Sequence, residues 1–248
     1  MEICHMATKI FITSAKGGAG ATTFAIGLGD ALAREGQRTL IVDGDSSCAD
    51  GLFLCGLQGM NVYTLADAKS GACRVKQAIL KHPKSENLYI LPTLGCDDKT
   101  FCEEAVKTVE GLFDYVLCDS AARGACGEAI VVTEPYPSSV KGADDKLARL
   151  TDCGMSKKSV VVNKINGGLV FDGEVMTPQE TAAILRCDLM GVIPEDLGMP
   201  LGKLKPRTKK AYAMCAAKLM SKGDKVFAVI RHYMGLKGAI KRRLRRAL

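Results

Sequence analysis

Short, unbroken apolar runs alternate with amphipathic stretches along most of this chain. Lys9-Ile-Phe-Ile-Thr13, Thr39-Leu-Ile-Val-Asp43, Leu88-Tyr-Ile-Leu-Pro92, Tyr115-Val-Leu-Cys-Asp119, Ile130-Val-Val-Thr133, Ser159-Val-Val-Val-Asn163 and Leu189-Met-Gly-Val-Ile193 each read as a strand. Strands that are apolar on both faces belong to a parallel sheet covered on both sides. Between them, Ala21–Arg34 carries a helical stripe of Phe24, Ile26, Leu28, Ala31 and Leu32, with Gly36 as its stop. Thr100–Glu110 and Ser138–Cys153 also read as helices. The expectation is an α/β fold, a mostly parallel sheet with helices on both faces. Residues 1–225 form one domain in this reading, and 226–248 a C-terminal extension.

The 248 residues, 47% hydrophobic and 25% charged, suit one ordinary globular domain. Trp is absent and aromatics are only 5%, which argues against a binder that stacks bases of a single strand. No apolar run approaches the roughly 18 residues of a spanning helix, and Met1 to Lys9 does not read as a signal peptide. The eleven cysteines are scattered without a C-x-x-C pair, so they read as reduced thiols, mostly small core residues. Of the 34 basic residues, seven fall in Arg231–Leu248 beside no acid; the rest of the chain is neutral. The net charge of +7 therefore belongs to the tail.

Parallel sheets bind ligands at the carboxyl ends of their strands. Lys16, Asp43, Asp45, Asp119, Thr133, Asn163 and Asp196 all fall on that predicted edge. The first strand leads into the glycine turn Ser14-Ala-Lys-Gly-Gly-Ala-Gly20, and the following helix opens with Ala21-Thr22-Thr23. A glycine turn between strand and helix is a phosphate cradle: its amides point inward and the helix N-terminus favours an anion. Against G-x-x-x-x-G-K-[ST], Ala15 stands at the first glycine and Ala21 at the lysine that reaches the outer phosphates. As helix caps or turn formers, Asp43, Asp45, Asp119 and Asn163 have a purely structural alternative.

With Lys16-Gly-Gly-Ala-Gly20 followed by Thr22-Thr23, the loop resembles the deviant Walker A family, K-G-G-x-G-K-[ST]-T. The resemblance spreads along the chain in family order. Val42-Asp-Gly-Asp45 is similar to the D-x-D switch segment, and Phe113–Ser120 to the Walker B strand of the MinD branch. Val132-Thr-Glu-Pro135 with Ser139–Asp144, Val161-Val-Asn-Lys164 and Gly191–Asp196 resemble further MinD-branch segments. The resemblance implies a P-loop ATPase that binds ATP and Mg²⁺. It implies that Lys16 crosses a homodimer to the partner's nucleotide, and that Gly17, Gly18, Ala19, Gly20 and Ala21 wrap the phosphates. Thr22 would ligate Mg²⁺ and Thr23 contact the α-phosphate. Asp119 and Asp43 would stand behind the metal, Asp45 would position the attacking water, and Asn163, Pro194 and Asp196 would face the adenine. Without a lysine at Ala21, binding loses a charge-assisted contact of roughly 1.5–3 kcal/mol, and turnover loses more. The family's D-S-P-A-G reads Asp119-Ser-Ala-Ala-Arg123 here.

Val226, Val229, Ile230, Tyr233, Leu236, Ile240, Leu244 and Ala247 recur at helical spacing, with Lys and Arg opposite. A basic amphipathic helix of this kind lies on an anionic membrane surface. Leu236, Ile240, Lys241, Arg242, Arg243, Leu244, Arg245 and Arg246 are its expected contacts. The resemblance then implies a cytoplasmic protein, peripheral on the inner face of the cell membrane, whose partner belongs to the division machinery and not to nucleic acid. Competing readings are a helix docked on the body, a nucleotide-insensitive adaptor and a ParA-type DNA-partitioning protein. An iron–sulfur ATPase using Cys96 and Cys126 also competes.

Overall fold

The computed structural model describes residues 6–44, 50–57, 63–199 and 203–234. Eight strands form one sheet: β1 (Thr8–Ser14), β2 (Thr39–Asp43), β3 (Leu80–Lys81), β4 (Leu88–Pro92), β5 (Tyr115–Asp119), β6 (Glu128–Thr133), β7 (Lys157–Ile165) and β8 (Asp188–Pro194). Their order is β3-β4-β2-β5-β1-β6-β7-β8. Only β3 runs antiparallel to its neighbour. Eight helices complete the described architecture: α1 (Ala21–Arg34), α2 (Asp50–Leu54), α3 (Leu65–Lys69), α4 (Lys99–Val109), α5 (Pro137–Asp152), α6 (Gly167–Phe171), α7 (Pro178–Ile184) and α8 (Pro206–Leu219).

Alternate side chains of each strand go to opposite layers. Ile10, Ile12, Ile41, Ile90, Leu117 and Ile130 pack with Phe24, Leu28 and Leu32 of α1 and Tyr212 of α8. Phe11, Leu40, Val42, Leu91, Val116 and Val131 pack with Val106 and Val109 of α4 and Val140 and Leu147 of α5. Each such side chain, fully buried, contributes about 1.5–3 kcal/mol against exposure. The two layers leave the sheet's carboxyl edge uncovered, and that is where the loops converge.

Local chemistry sets the ends of the helices. Gly36, at φ +83°, stops α1 where only glycine is relaxed. Pro137 opens α5 one residue before the predicted start, its fixed φ suiting the first turn. The carboxylate of Asp98 accepts from the Phe101 amide at 3.0 Å, so α4 begins at Lys99; Glu110 passes into a 3-10 turn, Glu110–Leu112. Within α1, Gly27 leaves room for the Tyr212 ring: a methyl there would lie 2.3–2.7 Å from its carbons. The Tyr212 hydroxyl reaches the Thr23 carbonyl at 3.4 Å. Beyond α8, Phe227 and Val229 are buried in the α1 layer, and Val229–Tyr233 forms a 3-10 turn. The first residues of the proposed extension thus pack on the body, in a turn tighter than the predicted α-helix. Leu236, Ile240, Lys241, Arg242, Arg243, Leu244, Arg245 and Arg246 lie outside the described residues.

Candidate functional site

The glycine turn leaves β1 at Ser14 and enters α1 through Gly20, whose φ of +94° and ψ of 36° are left-handed. Gly18 is also left-handed, at φ +81°, and nothing approaches within 4 Å of where a methyl on Gly17 or Gly18 would sit. No side chain caps α1. The first helical bond is Phe24 N–H to Gly20 C=O, at 2.9 Å. The amides of the first turn therefore remain available to an anion. Lys16 is exposed on the turn, and Ala21 is buried at the head of the helix.

Parallel register aligns the acids with this turn. Asp119 ends β5 opposite Ile12 of β1, and Asp43 of β2 stands opposite Asp119. Both carboxylates are buried. One oxygen of Asp43 accepts from the Gly51 amide at 3.0 Å, tying α2 to the sheet edge. Gly44 passes so close to the next loop that a methyl would lie 2.1 Å from the Asp119 carbonyl. That loop holds Ser120 at φ +57° and Ala122 at φ +47°, conformations costing of order 1–3 kcal/mol each. Ser120 and Ala122 flank Ala121, which stands where the family pattern has Pro, and Arg123 stands where it has Gly. Asp45 lies outside the described residues.

On the opposite side, β7 delivers Asn163 beneath the turn. Its Nδ2 donates to the Ala19 carbonyl at 2.8 Å, in a buried setting. A methyl on Gly20 would come within 2.5 Å of the same nitrogen. Asn163 Oδ1 is buried with no hydrogen-bond partner among the described residues. An orphaned acceptor costs about 1–3 kcal/mol unless a donor meets it. Sequence reasoning assigned no role to the next residue. Lys164, at φ +52°, donates to the Gly18 carbonyl and to Glu134 Oε1, the latter at 2.8 Å. Asn163 and Lys164 together brace two successive carbonyls of the turn from outside.

Pro194 ends β8 beside Ile165. Asp196 is committed to its own loop, accepting from Thr208 Oγ1 at 2.7 Å, the Lys205 amide at 2.8 Å and the Gly198 amide at 3.1 Å. Burial pushes its carboxyl up, but these donors prevail and hold it below the usual aspartate value. What this turn can offer a base is its backbone. Among the described residues, no group of three or more His, Cys, Asp or Glu side chains could hold a metal. Cys96 and Cys102 are both buried in the α4 layer, and the Cys126 thiol donates to the Ala122 carbonyl at 3.5 Å. Burial and the neighbouring thiol push Cys102 up to about 12. Cys55 and Cys215 are likewise pushed up to about 12, chiefly by burial. All the described cysteines are free thiols, and Cys153 is exposed.

A glycine cradle at a helix head, two buried acids beside it on neighbouring strands and a buried amide under it define a P-loop nucleotide-binding protein. The CobQ/CobB/MinD/ParA nucleotide binding domain family model matches residues 10–232, and the chain belongs to that family. Its similarity lies with the MinD branch. It is 32% identical over 214 residues to the septum site-determining protein MinD of Escherichia coli (strain K12), covering 77% of this chain and 79% of that one. Among solved structures, the MinC:MinD cell division complex of Aquifex aeolicus superposes with a TM-score of 0.82 at 26% identity, over 88% of this chain and 98% of that one. MinD of Pyrococcus horikoshii complexed with Mg-ADP gives 0.75 at 28% identity, over 86% and 96%.

Proposed function

We propose that this chain is a MinD-type switch that binds ATP with Mg²⁺, pairs with a second copy through Lys16, and attaches to an anionic membrane surface through residues 236–248. The observation that carries the reading is the cradle itself: free first-turn amides above a braced glycine turn, with the unpartnered Asn163 Oδ1 alongside. That oxygen accepts from a donor such as the amino group of adenine. Gly17, Gly18 and Gly20 keep the turn's backbone open to phosphate, and Thr23 lies at the α-phosphate. Thr22, Asp43 and Asp119 are the residues that would hold Mg²⁺, which when bound supplies charge neutralisation across the outer phosphates. Asp45 positions water in this scheme, and the Pro194–Asp196 backbone borders the base. The E. coli relative is named as septum site-determining, and the Aquifex relative is in a complex with MinC. By extension, this chain positions division or another polar structure through a protein partner, on the inner face of the membrane.

Ala21 sets the limit on catalysis. The cradle keeps its amides but lacks the ammonium that stabilises charge developing on the transferred phosphoryl group. Binding survives in this reading and hydrolysis is weakened. A nucleotide-insensitive adaptor is the second reading, favoured by the same residue. Vesicle pelleting and size-exclusion chromatography with ATP, ADP and no nucleotide separate the two. The switch predicts an ATP-dependent dimer and ATP-dependent pelleting; deleting residues 236–248 abolishes the pelleting and leaves the dimer. An oligomeric state that ignores ATP leaves only the adaptor.

A further inference from the structure

Away from the phosphate edge, a groove of about 1440 Å³ runs between α8 and the segment from Lys225 to Arg231. Lys205, Arg207, Lys210, Lys225 and Arg231 line it, and no lining residue is acidic. None of the five is ion-paired with a described residue. All but Arg207 are exposed. Its floor is apolar, formed by Met214, Val226 and the buried Phe227. Arg207 is fixed by donating from Nη2 to the Glu195 carbonyl at 2.8 Å, while its Nε is buried with no partner among the described residues.

A concentration of cations is normally dispersed by mutual repulsion unless an anion is to be met. The occupant must therefore carry negative charge and also cover an apolar floor. The chain's own residues 235–248 are a poor match, since they add six more cations and no acid. A duplex would answer the charges but leave Met214, Val226 and Phe227 against a hydrated, charged backbone. An anionic phospholipid offers phosphate at one end and glycerol and acyl carbon at the other. Arg231 lines the groove five residues before Leu236 in the chain, so the groove's rim lies close in sequence to the segment read as the membrane anchor.

We propose that this groove is a second membrane contact, a site for the headgroup of an anionic phospholipid, supplied by the folded body. The proposal rests on the reading of the tail as an anchor. With both contacts engaged, the body is held at a fixed angle to the bilayer and the tail is no longer a free tether. Lys205, Lys210 and Lys225 are the residues to change, because Arg207 is tied to Glu195 and Arg231 adjoins the anchor.

The full-length chain and its Lys205→Gln/Lys210→Gln/Lys225→Gln variant are pelleted, with ATP and Mg²⁺, on vesicles containing phosphatidylglycerol and on pure phosphatidylcholine. Both are also titrated with duplex DNA. Unchanged thermal unfolding verifies the fold. A basic residue near an anionic leaflet is worth about fivefold in partition, so three give roughly a hundredfold. The expected result is that loss on phosphatidylglycerol vesicles alone. Parent and variant pelleting equally well overturns the groove site and leaves the tail anchor standing. A parent that does not pellet at all overturns both. A variant that loses DNA binding and keeps vesicle binding assigns the groove to nucleic-acid phosphates, against the proposal.

Discussion

Truncating Asn163 to alanine separates support from recognition at the candidate site. The change removes the Nδ2 bond to the Ala19 carbonyl, a net contribution of about 1 kcal/mol. It also strands that carbonyl in a buried place, at a further cost of about 1–3 kcal/mol. Yet it deletes Oδ1, which is already buried without a partner and whose removal returns a similar amount. These opposing effects nearly cancel, so the unliganded protein loses only about 1–2 kcal/mol. The liganded protein fares worse, because the base loses its acceptor and the turn loses its prop; a 10- to 100-fold weaker ATP affinity is expected, about 1.4–2.8 kcal/mol. Urea unfolding, run with and without Mg-ATP at about 100 times the parent's Kd, reads both quantities. The parent should gain about 2.7 kcal/mol from nucleotide, and the variant only about 0.4–1.4 kcal/mol. A variant that gains as much as the parent refutes the assignment of Oδ1 to the ligand. One that loses several kcal/mol without nucleotide refutes the cancellation.

Restoring the ammonium with Ala21→Lys should tighten ATP binding about 10- to 100-fold and raise phosphate release above the parent's; equal turnover in a colorimetric phosphate assay would show that Ala21 is not the limiting defect. Gly27→Ala would drive a methyl to 2.3–2.7 Å from the Tyr212 ring, and the overpacking should cost about 1–3 kcal/mol in urea unfolding. The donors around Asp196 hold its carboxyl below the usual value although its own burial opposes them. Its contribution is therefore full above the unfolded-state value of about 3.9 and fades as pH falls through the lower folded value. Unfolding midpoints measured between pH 6 and pH 2 should decline for the parent, with a smaller decline for Asp196→Asn.

The strands were readable because parallel strands buried on both faces are apolar without interruption. Thr39–Asp43, Leu88–Pro92 and Tyr115–Asp119 begin and end where the apolar runs do. β3 has two residues and leaves no such trace. α8 was missed for a different reason: its buried face is Ala211, Tyr212, Cys215 and Ala216, mostly small residues in a lysine-rich segment, so it carries little periodic signal. The phosphate turn was legible because its residues are contiguous. The brace from Lys164 was not, since it joins positions 146 apart to Gly18 and 30 apart to Glu134. The segment Val161-Val-Asn-Lys164 entered only as part of the resemblance, and it is the fold that shows Lys164, within β7, pressing on the turn. Asp196 carried the opposite lesson: its carboxylate is held by Gly198, Lys205 and Thr208, partners up to 12 positions away that no local pattern displays.

The tyrosine seated on Gly27 ties two distant regions into one mechanical piece. Its ring grips the middle of the helix whose opening turn forms the cradle, and its oxygen touches that turn at Thr23. Its own helix carries Lys205 and Lys210 at or beside its start, on the rim of the groove. Close-packed interiors transmit displacement. Any tilt of the first helix would therefore be handed on, like the throw of a lever, to the helix that carries Tyr212 and to the rim of the groove.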